Sequence, residues 1–400
     1  MKESHDTTGL PDSEFYDARD SGPVMLGLLA VGGVAVFASL AWGFASPQEF
    51  VFSWLYSFIF FFTIAAGGFV WVILHHATDS GWSVTVRRQV ENLASLFPLL
   101  LLFFIPVILL REHLYTWMEI KPNESHLLDV KAGYLNEPFF WVRTGFYFVF
   151  FIAASLVMRA LSVRQDSSAN PNLTRVMRVL AVVSLPLFAV CMTFAAVDWL
   201  KSLDYTWYST MWGVYIFAGS ALSSMAVLII VMTFLRSRGY LGKVVSLEHF
   251  HIMGKLLLAF SVFWAYIGFS QYMLIWYANI PEEASYFIRR NTESWNTMSI
   301  LLVIGHFFIP FALLLRRRVK KMPKLLSGIA VWILLMHWLD MYLIVMPLKY
   351  PLGVEFSLLN FLPLLGIGCF LVVYFLRRMG RVSLFASRDP RIVESIYLSN

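Results

Sequence analysis

The sequence predicts an all-α integral membrane protein with ten transmembrane helices. Hydrophobic residues make up 58% of the 400 residues, only 14% are charged, and the uncharged residues fall in long runs. A soluble domain carries about 25% charged residues, whereas about 20 consecutive apolar residues span the hydrocarbon core as a helix. Backbone groups in lipid must pair within their own segment, so these runs are expected to be helices. The composition excludes a disordered chain, a secreted disulfide scaffold and a cytosolic enzyme.

Ten apolar stretches of the chain qualify as spans. Eight contain runs of at least 19 residues without charge, whereas span 4 carries Arg143 and span 9 carries Asp340. Proline lacks a backbone N–H, so Pro98 and Pro106 predict kinks in span 3. In chain order, the predicted spans are 24–45, 51–76, 92–110, 138–163, 176–199, 207–235, 250–278, 295–315, 325–347 and 357–376.

The distribution of basic residues predicts that both termini are cytoplasmic. Of the 31 Lys and Arg residues, 21 lie in segments on the side of the termini, 7 lie in the opposite loops and 3 lie within spans. Loops rich in Lys and Arg stay in the cytoplasm. We therefore expect a cytoplasmic segment over 1–23, a membrane domain over 24–376 and a basic cytoplasmic tail over 377–400. The two long loops, 111–137 and 279–294, are external, and the net charge of +6 gives no reason to expect a nucleic-acid partner.

This topology can be tested with reporters. A reporter fused after Asn400 should be active in the cytoplasm, and one inserted within 120–130 should be external, because the basic residues are distributed 21 to 7. Swapped reporter signals would reverse the predicted orientation.

Three ionisable residues are predicted near the membrane centre. Asp340 is expected to be the only acid within a span, and His337 precedes it by three residues, so the two share a helix face. His306 of span 8 lies at a depth similar to that of His337 of span 9. An ionisable group at this depth costs from about 2.5 kcal/mol upward, which makes it a functional candidate. Axial ligation of a b-type haem, a proton relay and simple helix-to-helix hydrogen bonding all remain open for the histidines.

A second group of ionisable residues is predicted at the cytoplasmic ends of spans 2 and 7. Histidines two positions apart on a helix diverge, which disfavours a metal site. A proton entry and an ordinary interfacial cap remain open. On the external side, Asp198 at the end of span 5 is expected to form the exit together with Asp340. The members of the cytoplasmic group are His75, His76, Asp79, Glu248, His249 and His251.

The sequence carries no recognisable set of cofactor ligands. Cys191 and Cys369 are too few for an iron–sulfur cluster, and neither belongs to a c-type haem motif. Phosphate-binding loops, a dinucleotide fingerprint and hydrolase triad spacing are also missing from the sequence. No cofactor bound by this chain is therefore predicted, and both cysteines are expected to be packing residues.

Three motifs resemble one family of membrane proteins. They are DWLKSLDYTWYST at Asp198–Thr210, EHFHIMGK at Glu248–Lys255 and FWAYIGFSQYMLIWYANIPEE at Phe263–Glu283. The chain resembles NrfD-type proteins, the membrane subunits of polysulfide-reductase type, and more narrowly the F subunit of bacterial alternative complex III. That complex is a quinol:cytochrome c or quinol:acceptor oxidoreductase.

The resemblance implies a fold and a set of partners. Spans 2–5 and 6–9 would form two four-helix bundles flanked by spans 1 and 10, in the bacterial inner membrane. The two groups of spans resemble each other weakly, and each contains a long external loop, which agrees with an internal repeat. The implied partners are a sister NrfD-type subunit, an iron–sulfur subunit, c-type cytochrome subunits and a terminal oxidase. They would hold the iron–sulfur clusters, the c-type haems and the menaquinol or other quinol.

The function implied is that of a subunit that is not catalytic alone, with an assembly role and proton-conducting half-channels. Four alternatives remain open: the quinol-binding subunit itself, a b-haem electron carrier, a transporter, and a simple anchor for the complex. Kinked helices and ionisable residues in mid-membrane are typical of transporters as well.

Overall fold

The computed structural model describes residues 14–17 and 21–399, and ten helices of this part are long and apolar enough to cross a membrane. The predicted all-α fold with ten spans is therefore confirmed, and the chain is a multi-pass membrane protein. Residues 1–13 and 18–20 of the predicted N-terminal segment lie outside the described residues, as does Asn400. The observed spans are Gly22–Ala45, Pro47–Ala77, Arg87–Leu109, Glu137–Ser168, Asn172–Leu203, Trp212–Ser237, Leu247–Ala278, Ser294–Leu314, Pro323–Leu348 and Leu358–Met379.

The two faces of the membrane domain are named here by what they carry. The terminal face carries residues 14–17 and 380–399, and the loop face carries the two long connections, 110–136 and 279–293. These connections contain the short helices His126–Lys131 and Pro281–Arg289. Which face is cytoplasmic stays a prediction from the charge distribution.

Span 3 is broken into three helical pieces, Arg87–Ala94, Phe97–Phe103 and Ile105–Leu109. Pro98 and Pro106 each stand at the second position of a piece, where a missing N–H costs nothing. Both predicted kinks are confirmed, because each proline breaks the hydrogen-bond ladder of the turn before it.

The start of span 3 was predicted five residues too late. Arg87 and Arg88 were expected in a loop, but both lie in the helix and are buried, at 3% and 0% exposure. Arg87 pairs with Asp389 at 2.6 Å and Arg88 with Asp166 at 2.6 Å, so neither positive charge faces lipid alone. Glu91 of the same helix is 1% exposed, so the expectation that Asp340 is the only acid within a span is wrong.

Spans 2 and 6 pack directly against each other at the centre of the molecule. Span 2 also contacts spans 3, 5, 9 and 10, and span 6 also contacts spans 5, 7 and 9. Their backbones meet at Gly67, where a Cβ atom would lie 1.9 Å from the carbonyl oxygen of Ser220. Small residues allow such close approach of helices in membranes. The grouping into two four-helix bundles stays a prediction.

The close contact at Gly67 gives a prediction about stability. Gly67→Val should destabilise the protein by about 3 kcal/mol or more, because the new side chain would push two central spans apart. Gly145→Val is the matched control, since nothing lies within 4 Å of a Cβ at that glycine of span 4. Thermal unfolding in detergent measures both variants. Equal losses of stability in the Gly67→Val and Gly145→Val variants would contradict the role of Gly67 in packing.

The predicted basic tail is folded onto the terminal face. Span 10 extends to Met379, and residues 380–399, here called the strap, lie across the ends of the spans. Leu384 and Phe385 are buried in the core, and the Leu384 N–H donates to the Glu14 carbonyl at 2.7 Å. The Gln89 side chain donates to the Leu384 carbonyl at 2.8 Å. The strap is therefore part of the membrane domain rather than a separate extension.

Candidate functional site

The structure brings the two central histidines together. The ring centroids of His306 in span 8 and His337 in span 9 lie 6.4 Å apart, and both side chains are fully buried. We call the group formed by these histidines with Thr63, Trp264, Asp340 and Tyr215 the central cluster. Its members come from spans 2, 6, 7, 8 and 9, which include the three most buried spans, 2, 6 and 9.

His306 sits in a π-helical turn, Ile304–Phe308, and the sequence explains that turn. Pro310 cannot donate a hydrogen bond, which leaves a carbonyl of the preceding turn without a backbone partner. The indole N–H of Trp332 in span 9 donates to the Gly305 carbonyl at 2.7 Å and replaces the missing donor. Such π-helical turns are frequent at functional sites, because they turn a side chain out of its regular register.

His337 is held by a hydroxyl of span 2. The Thr63 Oγ1 atom donates to the Phe60 carbonyl at 2.8 Å, and the same oxygen lies 2.8 Å from His337 Nε2. A hydroxyl has one proton, and Thr63 donates that proton to Phe60. The proton of the second contact therefore belongs to His337 Nε2, and Nδ1 of the neutral ring carries none. That Nδ1 atom faces Gly219 of span 6, where a Cβ atom would come within 3.4 Å of it.

Asp340 joins the central cluster through two neutral donors. Tyr215 Oη donates to Oδ1 at 2.6 Å, and Trp264 Nε1 donates to Oδ2 at 3.0 Å. The indole of Trp264 also lies against the His306 ring, with 4.2 Å between centroids. Trp264 therefore links the carboxylate to the histidine. The sequence prediction missed this residue, although it stands inside the motif Phe263–Glu283.

Polar groups continue from the central cluster toward the terminal face. Span 6 carries three buried hydroxyls, Ser220, Ser223 and Ser224, within the five positions that follow Gly219. Trp71 of span 2 donates from its indole to the Ala221 carbonyl at 3.1 Å. Its ring lies 5.8 Å from that of His75. The hydroxyls of these serines donate to carbonyls of their own helix.

His75 and His76 lie buried beneath the terminal face. Within the described part of the chain, neither ring nitrogen of His75 has a hydrogen-bond partner, and the same holds for Nε2 of His76. The rings of Trp71 and Trp82 enclose His75 at centroid distances of 5.8 and 5.2 Å. A buried polar atom without a partner is costly, so these rings are candidates for a functional role.

His249 has a structural role instead. Its Nδ1 accepts the backbone N–H of Ser246 at 3.1 Å, which caps the start of span 7, and Nε2 therefore carries the proton. Nε2 donates to Thr85 Oγ1 at 2.9 Å, and Ser395 of the strap lies 3.1 Å from that hydroxyl. Ser395 in turn donates to the Trp82 carbonyl at 2.9 Å. The chain of donors fixes one tautomer of His249.

The two predicted entry carboxylates are held in ion pairs. Glu248 pairs with Lys321, and Asp79 pairs with Arg178 and with Arg391 at 3.4 Å. Burial by itself would raise the pKa of Asp79, but its two arginine partners hold that pKa below the ordinary value. Both carboxylates are fixed as anions near neutral pH. An entry formed by the six predicted residues stays a prediction.

Asp198 does not join the central cluster. Its fully buried carboxylate accepts two hydrogen bonds from Arg143, at 2.8 and 2.9 Å. Tyr134 and Tyr147 donate to the same carboxylate at 2.9 and 2.8 Å. These partners belong to span 4 and to the loop between spans 3 and 4. Asp198 and Arg143 thus form a satisfied buried ion pair rather than an exit beside Asp340.

A different route leads from Asp340 to the loop face. Tyr215 stacks on Trp212 with 6.0 Å between ring centroids. Trp212 lines a cavity of about 10 Å³, which Tyr286, Arg290 and Asp204 also line. That volume holds about one water molecule. Asp204 reaches the loop face, where it pairs with Arg289 at 2.8 Å.

Over residues 14–17 and 21–399, no group of three or more His, Cys, Asp or Glu side chains is placed to hold a metal ion. Cys191 and Cys369 are both buried and free.

Comparison with known proteins adds no family assignment. No model of a known protein family matches the chain, and the search of curated proteins finds no match either. The fold and the site define the class: a multi-pass helical membrane protein with a buried cluster of ionisable side chains at its centre.

Proposed function

We propose that this chain is a cofactor-free membrane subunit of a respiratory quinol:cytochrome c or quinol:acceptor oxidoreductase of the alternative complex III type. In that complex it conducts protons and supports assembly. The observation that carries the proposal is the central cluster, where His306, His337 and Asp340 are buried together in the membrane domain. The three motifs that resemble the F subunit supply the assignment to this kind of complex.

The proton path proposed here has three parts. On the terminal side, His75 and His76 lead to the serines of span 6. The central part consists of His337, His306 and Asp340. Imidazole suits this position because it can both give and take a proton near neutral pH. On the loop side, Tyr215 leads to the cavity beside Asp204, which replaces Asp198 as the exit. The burial of these ionisable and hydroxyl side chains within the membrane domain is the physical support for this path.

Transport against a gradient needs more than a row of polar groups. A driven step requires two arrangements of the helices, and the neighbouring chemistry must favour one of them. The π-helical turn at His306 is the natural place for such a change, because its hydrogen bonds are already shifted by Pro310. Quinol oxidation in the sister subunit would supply the free energy.

The placement of the quinol site in a sister subunit rests on the resemblance to the F subunit.

Haem ligation does not fit the packing around His337. An axial ligand must present one ring nitrogen to the iron. Here Nε2 is bonded to Thr63 at 2.8 Å, and Nδ1 faces the Gly219 backbone of span 6. Trp264 also covers the ring of His306 at 4.2 Å. The two histidines therefore suit a relay better than a b-type haem.

Purification from the native membrane tests the assignment. A tag placed after Asn400 should recover an iron–sulfur subunit and c-type cytochromes together with quinol:acceptor activity. The tagged chain, once separated from its partners, should show no Soret absorption. Recovery without these partners would contradict the proposed complex. A reduced-minus-oxidised b-type signal that disappears in His306→Ala would show a haem ligand instead.

A further inference from the structure

The end of the strap is connected to a buried histidine of span 2. The short strap helix Ile392–Ile396 packs against the turn Gly81–Ser83, which follows span 2 in the chain. The hydroxyl of Ser395, which is fully buried, donates to the Trp82 carbonyl at 2.9 Å. The Trp82 ring lies against the His75 ring, with 5.2 Å between centroids. Trp82 therefore lies between the strap helix and His75.

The strap is held in two different ways along its length. Its first part is anchored in the core, since Leu384, Phe385 and Ala386 are each at most 2% exposed. Residues 387–399, here called the distal strap, contribute Ile392 and Ile396 to the core, and both are only partly buried. A segment that buries little apolar surface opens at a lower free energy than the core does. We therefore expect a hinge directly after Ala386.

Polar contacts hold the distal strap in place. Asp389 is 3% exposed and accepts a hydrogen bond from Arg87 of span 3 at 2.6 Å. Arg391 lies 3.4 Å from Asp79, but both side chains of that pair are partly exposed. Exposed ion pairs contribute little to stability, whereas breaking a buried pair is costly. Asp389 and the Ser395 hydroxyl are therefore the main polar attachments of the distal strap.

The histidines next to the distal strap have ring nitrogens with unused hydrogen-bonding capacity. Within the described part of the chain, neither ring nitrogen of His75 has a partner, nor does Nε2 of His76. Both side chains are at most 4% exposed. Buried polar atoms without a protein partner are costly, and water is their usual partner. An arrangement that admits water to this pair would therefore gain hydrogen bonds.

We propose that the distal strap is a lid that closes the terminal-face entrance to His75 and His76. It opens about a hinge after Ala386 and admits water to the two rings. The closed and open positions of one segment supply the two arrangements that a controlled step requires. The lid itself does not depend on the respiratory assignment. Its consequence, control of proton entry, rests on the proposed function, because His75 and His76 begin the proposed path.

Chemical labelling of histidine tests the lid. Diethyl pyrocarbonate modifies neutral imidazole that solvent reaches, and mass spectrometry of peptides locates each modified ring. In the purified parent protein the exposed His126 should be labelled rapidly, whereas His75 and His76 should be labelled slowly. Truncation after Ala386 removes the distal strap. It should accelerate labelling of His75 and His76 about tenfold or more, because the lid then no longer limits local opening.

A point variant tests the same idea in the full-length chain. Ser395→Ala removes the hydroxyl that bonds to the Trp82 carbonyl. It should accelerate labelling of His75 about fivefold, the factor that corresponds to the loss of one hydrogen bond of ordinary strength. Ser399→Ala is the matched control, since Ser399 is an exposed serine of the same segment, and it should leave the labelling rate unchanged.

His337 distinguishes opening of the lid from unfolding. This ring is fully buried in the central cluster and should stay unlabelled in every folded variant. If the truncated protein unfolds and His337 is labelled, Ser395→Ala decides the question. Equal labelling rates of His75 in the parent and in Ser395→Ala, or rapid labelling in the parent, would overturn the lid. Accelerated labelling in a protein whose parent complex moves no excess protons would confirm the lid and contradict the proposed function.

Discussion

Asp340→Asn should remove most of the proton movement that accompanies quinol oxidation and leave electron transfer largely intact. Asparagine has nearly the shape of aspartate, so the contacts with spans 6 and 7 are largely kept. It cannot gain or lose a proton at this site, which interrupts the path between His337 and Tyr215. Tyr215 and Trp264 both donate to the carboxylate now, at 2.6 and 3.0 Å. Protons moved per electron in proteoliposomes should therefore fall severalfold, and the rate of quinol oxidation should change far less.

Two further variants make the result at Asp340 specific. Glu282→Gln removes an exposed carboxylate of the loop face and should leave both rates unchanged. Tyr215→Phe keeps the acid but removes its hydroxyl partner, so it should give an intermediate loss of proton movement. If Asp340→Asn complex moves protons like the parent, Asp340 has no part in conduction and an anchoring role remains.

Asp198→Asn should act mainly on stability, with a loss of about 3–5 kcal/mol. The change leaves the Arg143 guanidinium buried without its counter-charge, which is the costly way to break a buried ion pair. The rings of Tyr134 and Phe139 also enclose Arg143, with their centroids 3.9 and 4.3 Å from Arg143 Cζ. The cation therefore has little freedom to reach water. Reduced yield and a lower unfolding temperature in detergent should reveal this.

A second variant distinguishes the structural role of Asp198 from a conducting one. Replacing both partners, Arg143→Met with Asp198→Leu, removes the unpaired charge and should destabilise less than Asp198→Asn alone. The Asp198→Asn protein that does fold should move as many protons per electron as the parent. A stable Asp198→Asn variant with impaired proton movement would restore Asp198 as the exit residue.

The ten spans could be predicted because the membrane imposes a strong rule on sequence. Each crossing needs about 20 apolar residues in one helix, and few other patterns satisfy backbone hydrogen bonds in lipid. Depth within a span also follows from counting residues, which is how His306 and His337 could be expected near each other. The kinks of span 3 followed equally directly from Pro98 and Pro106.

The contacts that build the site could not be predicted in the same way. Trp264 and the span 6 serines are uncharged and resemble ordinary residues of a span, so nothing marked them as partners of the histidines. Sequence position alone also does not say which helices are neighbours, and Asp198 was therefore assigned to Asp340 rather than to Arg143. Asp204 directly follows span 5 at the loop face. Its place on the alternative route is evident only in the structure, where Asp204, Trp212 and Arg290 line one cavity.

Charge at the ends of spans was the other source of error. Arg87 and Arg88 were assigned to a loop because charges usually end an apolar run. In the structure their ion pairs reach Asp166 of span 4 and Asp389 of the strap, which are distant in sequence. Burial of charge by remote partners is a tertiary property, so neither these pairs nor the folded strap was evident beforehand.

The direct test of proton conduction is the number of protons that the purified, reconstituted complex moves per electron during quinol oxidation. Protons should appear on the outer side in excess of those that quinol oxidation itself releases, and the excess should disappear in Asp340→Asn. Release that equals the quinol stoichiometry in the parent complex would contradict a conducting role for this chain and leave its role as one of assembly.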